Sequence, residues 1–122
     1  MREGSKLWYV PDCWLPTGSS GPAESHEAIC VLNVGDQDAH LTMTFYFADR
    51  EPIRDVRIVV PAERTRHLGM NEPDHIGGVE LPPEVGYSIK LESDIPVLVQ
   101  YTRLDCSAPQ MALMTTMALI GD

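Results

Sequence analysis

The run Pro96-Val97-Leu98-Val99-Gln100-Tyr101-Thr102-Arg103-Leu104-Asp105 constrains the fold more than any other segment. It is rich in β-branched and aromatic residues and alternates with a period of two, the pattern of a strand. Alternate residues of a strand share a face. Val97, Val99, Tyr101, Arg103 and Asp105 therefore line one face, and Leu98, Gln100, Thr102 and Leu104 the other. A face that starts apolar and ends in Arg-x-Asp is either the capped end of a core or the wall of a polar site.

The rest of the chain repeats the theme of short strands set apart by turn residues. Lys6–Val10 reads as a first strand stopped by Pro11, and residues 12–25 as a Pro-, Gly- and Ser-rich loop carrying Trp14. His26–Asn33 and Ala39–Ala48 follow, joined by the turn Gly35-Asp36-Gln37-Asp38, so a hairpin is expected. Arg54–Val60 and Glu63–Leu68 are two more strands. The segment from Gly69 to Pro83 has no strand pattern and reads as a long loop. Tyr87–Glu92, the turn Ser93-Asp94-Ile95-Pro96, the Val97–Leu104 strand and Ala112–Leu119 complete the chain. Strands at this spacing predict an all-β, single-domain antiparallel β-sandwich over residues 1–122.

Length and charge bound the function. A chain of 122 residues can bury a core without covalent staples. The net charge of −9 disfavours nucleic-acid backbones and anionic membrane surfaces. Three cysteines, Cys13, Cys30 and Cys106, show no paired spacing, and the N-terminal residues do not form a signal peptide. Reduced thiols and a cytoplasmic location are the economical expectation.

The expected hairpin can be given a register. Placing Ile29, Val31, Met43 and Phe45 on the core face pairs Val31 with Met43 and Ile29 with Phe45. Glu27 then pairs with Phe47, with Asp49 just beyond. Three strands thus end an inward face in charge, and Glu27, Asp49, Arg103 and Asp105 form a candidate polar cluster. It is a salt-bridge network closing the sandwich, or a pocket for a small polar ligand. Trp14 is either a stacking platform or a plug over the sandwich end.

Familiar catalytic patterns are missing. His26, His40, His67 and His75 are scattered without HxH or HExxH spacing, so no metal or other cofactor is expected. No GxSxG elbow supports a Ser-His-Asp triad, and Gly77-Gly78 lacks the lysine and helix of a phosphate loop. Paired carboxylates suit glycoside hydrolysis, but nothing in the spacing favours that over an ion pair.

Several segments, in order, resemble the sensory rhodopsin transducer family. They are Trp8-x-Val10-Pro11-Asp12-x-Trp14-Leu15-Pro16, Ser25-His26-Glu27-Ala28-Ile29-Cys30-Val31-Leu32-Asn33 and Asp49-Arg50-Glu51-Pro52. Arg64-Thr65-x-His67 follows, then Ser93-Asp94-Ile95-Pro96 leading into Gln100-Tyr101-Thr102-Arg103-Leu104-Asp105. Cys13 stands where the family more often has glycine. The resemblance implies a small non-enzymatic all-β signalling protein that forms a homo-oligomer, a tetramer, and relays the signal of a membrane photoreceptor or another signalling protein. It also implies a small polar ligand of sugar-like chemistry. The family's recurring polar positions fall here on Glu27, Asn33, Asp49, Arg50, Arg64, Gln100, Arg103 and Asp105, which overlaps the cluster found by strand parity.

Overall fold

The computed structural model describes residues 3–122. The strands are β1 (Ser5–Trp14), β2 (His26–Asn33), β3 (Ala39–Phe47), β4 (Ile53–Val60), β5 (Arg64–Gly69), β6 (Gly86–Asp105), β7 (Ala112–Met117) and β8 (Leu119–Ile120). All pairings between them are antiparallel. They build a sandwich. One sheet runs β4-β3-β6-β1-β8, and the other runs β5-β2-β6-β7.

β6 belongs to both sheets. Tyr87–Ser93 pairs with β3, and the same half pairs with β1. From Leu98 onwards it pairs with β2, and from Gln100 with β7. The sequence pattern breaks this region into two strands at Ser93–Pro96, but the strand is continuous over 20 residues. Drawn straight it would span roughly 66 Å, far beyond the ~14 Å radius of gyration of a compact chain this long. The turn residues therefore mark the bend that carries it from one sheet to the other. Trp8 pins the corner: its indole N–H donates to the carbonyls of Ser5 (2.9 Å) and Val97 (3.0 Å).

The expected β2–β3 hairpin does not form. β2 pairs with β5 and β6, whereas β3 pairs with β4 and β6. The Gly35–Asp38 turn instead carries the chain across the sandwich. The inward face was read correctly even so: Ile29, Val31, Met43 and Phe45 are all buried, on opposing sheets rather than side by side. Pairing by turn chemistry failed because apolar faces that pack across a core and faces that pair in a sheet leave the same alternation in sequence.

Pro11 does not stop β1. It lies where the pairing with β6 shifts between Val10 and Cys13, so the missing N–H coincides with an irregularity. Residues 70–85 contain no strand and only a 3-10 turn at Pro73–His75. Val97, Val99 and Tyr101 are buried, while Arg103 and Asp105 are half-buried where β6 leaves the core.

Candidate functional site

Strand parity puts Glu27 on the inward face of β2 with Ile29 and Val31, and it has no exposed surface. Its side chain is met by three donors. The hydroxyls of Tyr87 and Tyr101 both donate to it, one to each oxygen. The backbone N–H of Trp14 donates to Oε2 at 2.9 Å. A buried carboxyl without such donors would carry a large desolvation cost, and this set satisfies both oxygens.

The donors come from both layers. Tyr87 lies in the half of β6 that pairs with β3, and Tyr101 in the half that pairs with β2. Trp14 is the last residue of β1, opposite Gly86. Glu27 is thus a knot tying β1, β2 and both halves of β6. Burial pushes both phenols above their ordinary value, and the neighbouring Glu27 charge adds to it. The buried Cys13 thiol is pushed up for the same two reasons, and its Sγ donates to the Val10 carbonyl at 3.4 Å.

Arg103 extends the network outward. It stands opposite Glu27 in the β2–β6 register, yet its Nε donates to the Tyr101 hydroxyl at 3.1 Å. Its Nη2 reaches the Asp12 carbonyl at 3.3 Å and lies 3.6 Å from the Asp12 carboxylate. A continuous chain of polar contacts therefore runs from exposed Asp12 through Arg103 and Tyr101 to buried Glu27.

On the other side of Tyr87 lies an open cleft of about 410 Å³. Tyr87, Tyr46, Phe47, Asp12 and Ser88 contribute to its walls. Tyr87 packs edge-on against Phe45, with centroids 6.0 Å apart, and leans on Phe47. Ser88 Oγ donates to the Pro11 carbonyl at 2.7 Å, holding the irregular part of β1 beside β6. Aromatic faces with hydroxyl and carboxylate groups at their edges are the composition of a site for a small polar molecule.

The sequence-predicted residues divide. Glu27, Arg103 and Trp14 come together, but Trp14 contributes a backbone N–H from the end of a strand and does not sit in a loop. Asp49 does not join the inward cluster. It is exposed just after β3 ends, ion-paired with Arg50 at 3.0 Å, and that contact holds its carboxyl below the usual range. The Arg50 guanidinium lies 5.4 Å from the centre of the Phe47 ring. Asp105 accepts from the N–H and hydroxyl of Ser107, which lower its pKa and end β6.

Asn33 is fully buried at the other end of β2. Its amide donates to the carbonyls of Gln37 (2.8 Å) and Val60 (3.1 Å) and accepts from the Gly35 N–H, a tether for the sandwich connection. Arg64 is exposed and donates to the Glu63 carbonyl. Gln100 is exposed on the outer face of the second sheet. Tyr87, Tyr101 and Asp12 join this network without being among the sequence-predicted site residues. The signal for Tyr101 was present in its parity with Arg103 on a face that ends in charge.

Glu27 is enclosed and Asp49 stands in solvent, so these two carboxylates do not flank a common bond as a glycosidase pair does. Among the described residues no three side chains of metal-ligating type converge. No helix there is long and apolar enough to cross a membrane.

A family model described as Anabaena sensory rhodopsin transducer matches residues 3–120. Among solved structures, one described as the crystal structure of Thermotoga maritima 1070 is 32% identical with a TM-score of 0.86, over 97% of this chain and 96% of that one. The structure of the Anabaena sensory rhodopsin transducer is 35% identical with a TM-score of 0.74, over 86% of this chain and 92% of that one. No curated protein sequence matches the chain.

Proposed function

The chain belongs to the Anabaena sensory rhodopsin transducer family, and from that premise we propose that it is a non-enzymatic signal-relay module. In this reading a small polar, hydroxyl-bearing ligand of sugar-like chemistry binds the cleft in front of Tyr87. The module works in the cytoplasm as a homo-oligomer, a tetramer, and passes its state to a signalling protein such as a membrane photoreceptor.

One observation carries the proposal: Tyr87 is at once a wall of the cleft and a donor to Glu27. A ligand that moves this ring alters a hydrogen bond shared by both sheets, and the effect reaches β2 and Arg103. Tyr46 and Tyr87 would stack against the ligand's apolar face. Ser88 and Asp12 would exchange hydrogen bonds with its hydroxyls, and Arg103 would hold Asp12 in place.

Titration with monosaccharides, polyols and other small polar metabolites, followed by thermal shift and amide NMR, tests this. A binding compound should shift the Tyr46, Tyr87 and Ser88 amides and, through Glu27, those of β2. Tyr46→Ala should abolish binding, and Glu27→Gln should confine the shifts to the cleft. Shifts that survive Tyr46→Ala, or a panel that moves no resonance, would overturn the ligand reading.

A second reading has its own observation. Both oxygens of Glu27 are occupied by donors from the chain itself, which is what a purely structural knot requires. The protein would then be an interaction scaffold that relays signals by contact alone. The same titration separates the two, because the scaffold binds none of the small molecules.

A further inference from the structure

Positive charge in this acidic chain gathers on one side of the sandwich. Residues 53–69 form β4, β5 and their connection, and hold four arginines against two acidic residues, Asp55 and Glu63, in a chain of net charge −9. β4 ends the first sheet and β5 ends the second. The two edges meet where Arg66 Nη1 donates to the Val59 carbonyl at 3.0 Å. Arg54, Arg57 and Arg64 are exposed, and Arg66 is half-buried. Arg50, Lys90 and Arg103 each sit within ion-pairing distance of a carboxylate, but among the described residues none of these four does. Arg64 reaches only the carbonyl of its neighbour Glu63.

The two edges are guarded differently. The pairing of β4 shifts opposite Met43–Phe45, where Asp55 takes a φ of 59°. Side chains also occupy its carbonyls, Arg66 at Val59 and Asn33 at Val60. A bulge and occupied acceptors keep another strand away. β5 has no such break and pairs residue for residue with β2. From Arg64 to Leu68 its backbone makes, among the described residues, no hydrogen bond beyond that pairing. In an antiparallel pair alternate residues turn their N–H and C=O away from the partner, so β5 offers a free row of donors and acceptors. Only its arginines guard that row. They repel a basic strand and attract an acidic one.

We infer that the free edge of β5 is the docking site for an extended acidic segment of the signalling partner, which adds to the second sheet as a further strand. The inference rests on the signalling partner of the proposed function and names its contact and its chemistry. Parity sets the pattern of the segment. Arg64 and Arg66 stand opposite the buried Asn33 and Val31 and share the inward face, while Thr65 and His67 share the outer one. A strand beside β5 therefore needs carboxylates at alternate positions to meet the two guanidiniums, with β-branched residues between them beside Thr65 and His67. Backbone hydrogen bonds give such an addition its affinity, and the alternate side chains give its selectivity. Arg54 and Arg57 lie outside the new ladder, on β4, and draw the acidic segment in. The stretch from Arg64 to Leu68 spans roughly 16 Å, room for about five residues of the partner. A nucleic acid has no backbone donors and acceptors at strand spacing, and the phosphates of a duplex would also meet the acidic surface of this chain.

Fluorescence anisotropy on the full chain provides the test, with a labelled hexapeptide that alternates glutamate with valine or threonine as the probe. It should bind, more weakly as salt rises, and the same peptide with glutamine for glutamate should not. Arg64→Glu, at an exposed side chain, should weaken binding on the order of tenfold and admit the lysine version of the peptide instead. Lys90→Glu, away from this edge, should leave binding unchanged. Amide exchange supplies the location: bound peptide should slow the exchange of β5 amides and leave those of β4 as they were. Equal binding of the glutamine peptide, or binding untouched by Arg64→Glu, would overturn the inference. So would a wild type that takes up a single-stranded oligonucleotide and ignores the peptide. Each of these failures leaves the small-molecule titration of the proposed function standing. A panel of small molecules that moves nothing, beside an edge that binds the acidic peptide, would remove the ligand reading and keep this one.

Discussion

Tyr87 and Tyr101 lie on the same strand but in different sheets, and both donate to the one carboxylate of Glu27. Two side chains of one strand can meet in this way only because β6 folds over between them. The hydrogen bonds report the bend, and they close it.

Glu27 should be among the most costly positions to change. Glu27→Ala orphans two buried hydroxyls and the Trp14 N–H and opens a cavity, so a loss of about 3 kcal/mol or more is expected. Glu27→Gln keeps the shape but replaces one acceptor oxygen with a donor, and should cost about 1–3 kcal/mol. Urea unfolding measures both. A loss under about 1 kcal/mol for the alanine variant would show that the knot does not hold the sandwich.

The two tyrosines should not act independently. Each single Tyr→Phe change removes one donor from Glu27, and Tyr101→Phe also deprives the Arg103 Nε of its acceptor. A double-mutant cycle between positions 87 and 101 should give a coupling of about 0.5–3 kcal/mol, as for residues sharing one network. Additivity within about 0.3 kcal/mol would mean that Glu27 does not link them.

Alkaline pH should unfold the protein through these same phenols. Both are held above the ordinary tyrosine value of 10.0 by burial first and by Glu27 next. A group whose folded pKa is raised contributes stability that is complete below its unfolded value and is lost as pH climbs towards the folded one. Stability should therefore fall from about pH 10 upward. The tyrosinate absorbance of these two residues should appear together with the loss of β-sheet signal. Complete tyrosine ionisation while the fold stays intact would contradict this.

Gly4→Ala should be destabilising although the position is near the chain's start. Gly4 has φ of +98°, and an added Cβ would fall 2.3 Å from the Val97 carbonyl oxygen. Both the strained conformation and the clash with backbone oppose the methyl group, so a loss of about 2 kcal/mol or more is expected. Thermal unfolding checks it, and a midpoint equal to wild type would show that the N-terminal segment does not pack at the β6 corner.

Inward and outward faces were legible because period-two alternation survives any pairing. Glu27 among Ile29 and Val31, and Val97-x-Val99-x-Tyr101, could be assigned to the core from parity alone. Partner strands were not legible, since β2 and β3 are equally suited to pairing and to packing across a core. Asp49 illustrates the cost. Extending parity past Phe47 put it inward, but β3 ends there and the chain turns out to Arg50. The site was only half visible because its donors include a backbone N–H, which has no signature in sequence. The bend of β6 hid within residues that normally separate strands.

The shared strand also sets a timetable for folding during synthesis. Until Gly86–Asp105 has left the ribosome, β1 has no partner at all, and only β3 with β4 and β2 with β5 can pair. Before then the first two-thirds of the chain can form only these two ribbons, each lacking the strand that completes its sheet. Both sheets can then be completed late, when a single segment pairs with β3 and β1 in one sheet and with β2 in the other.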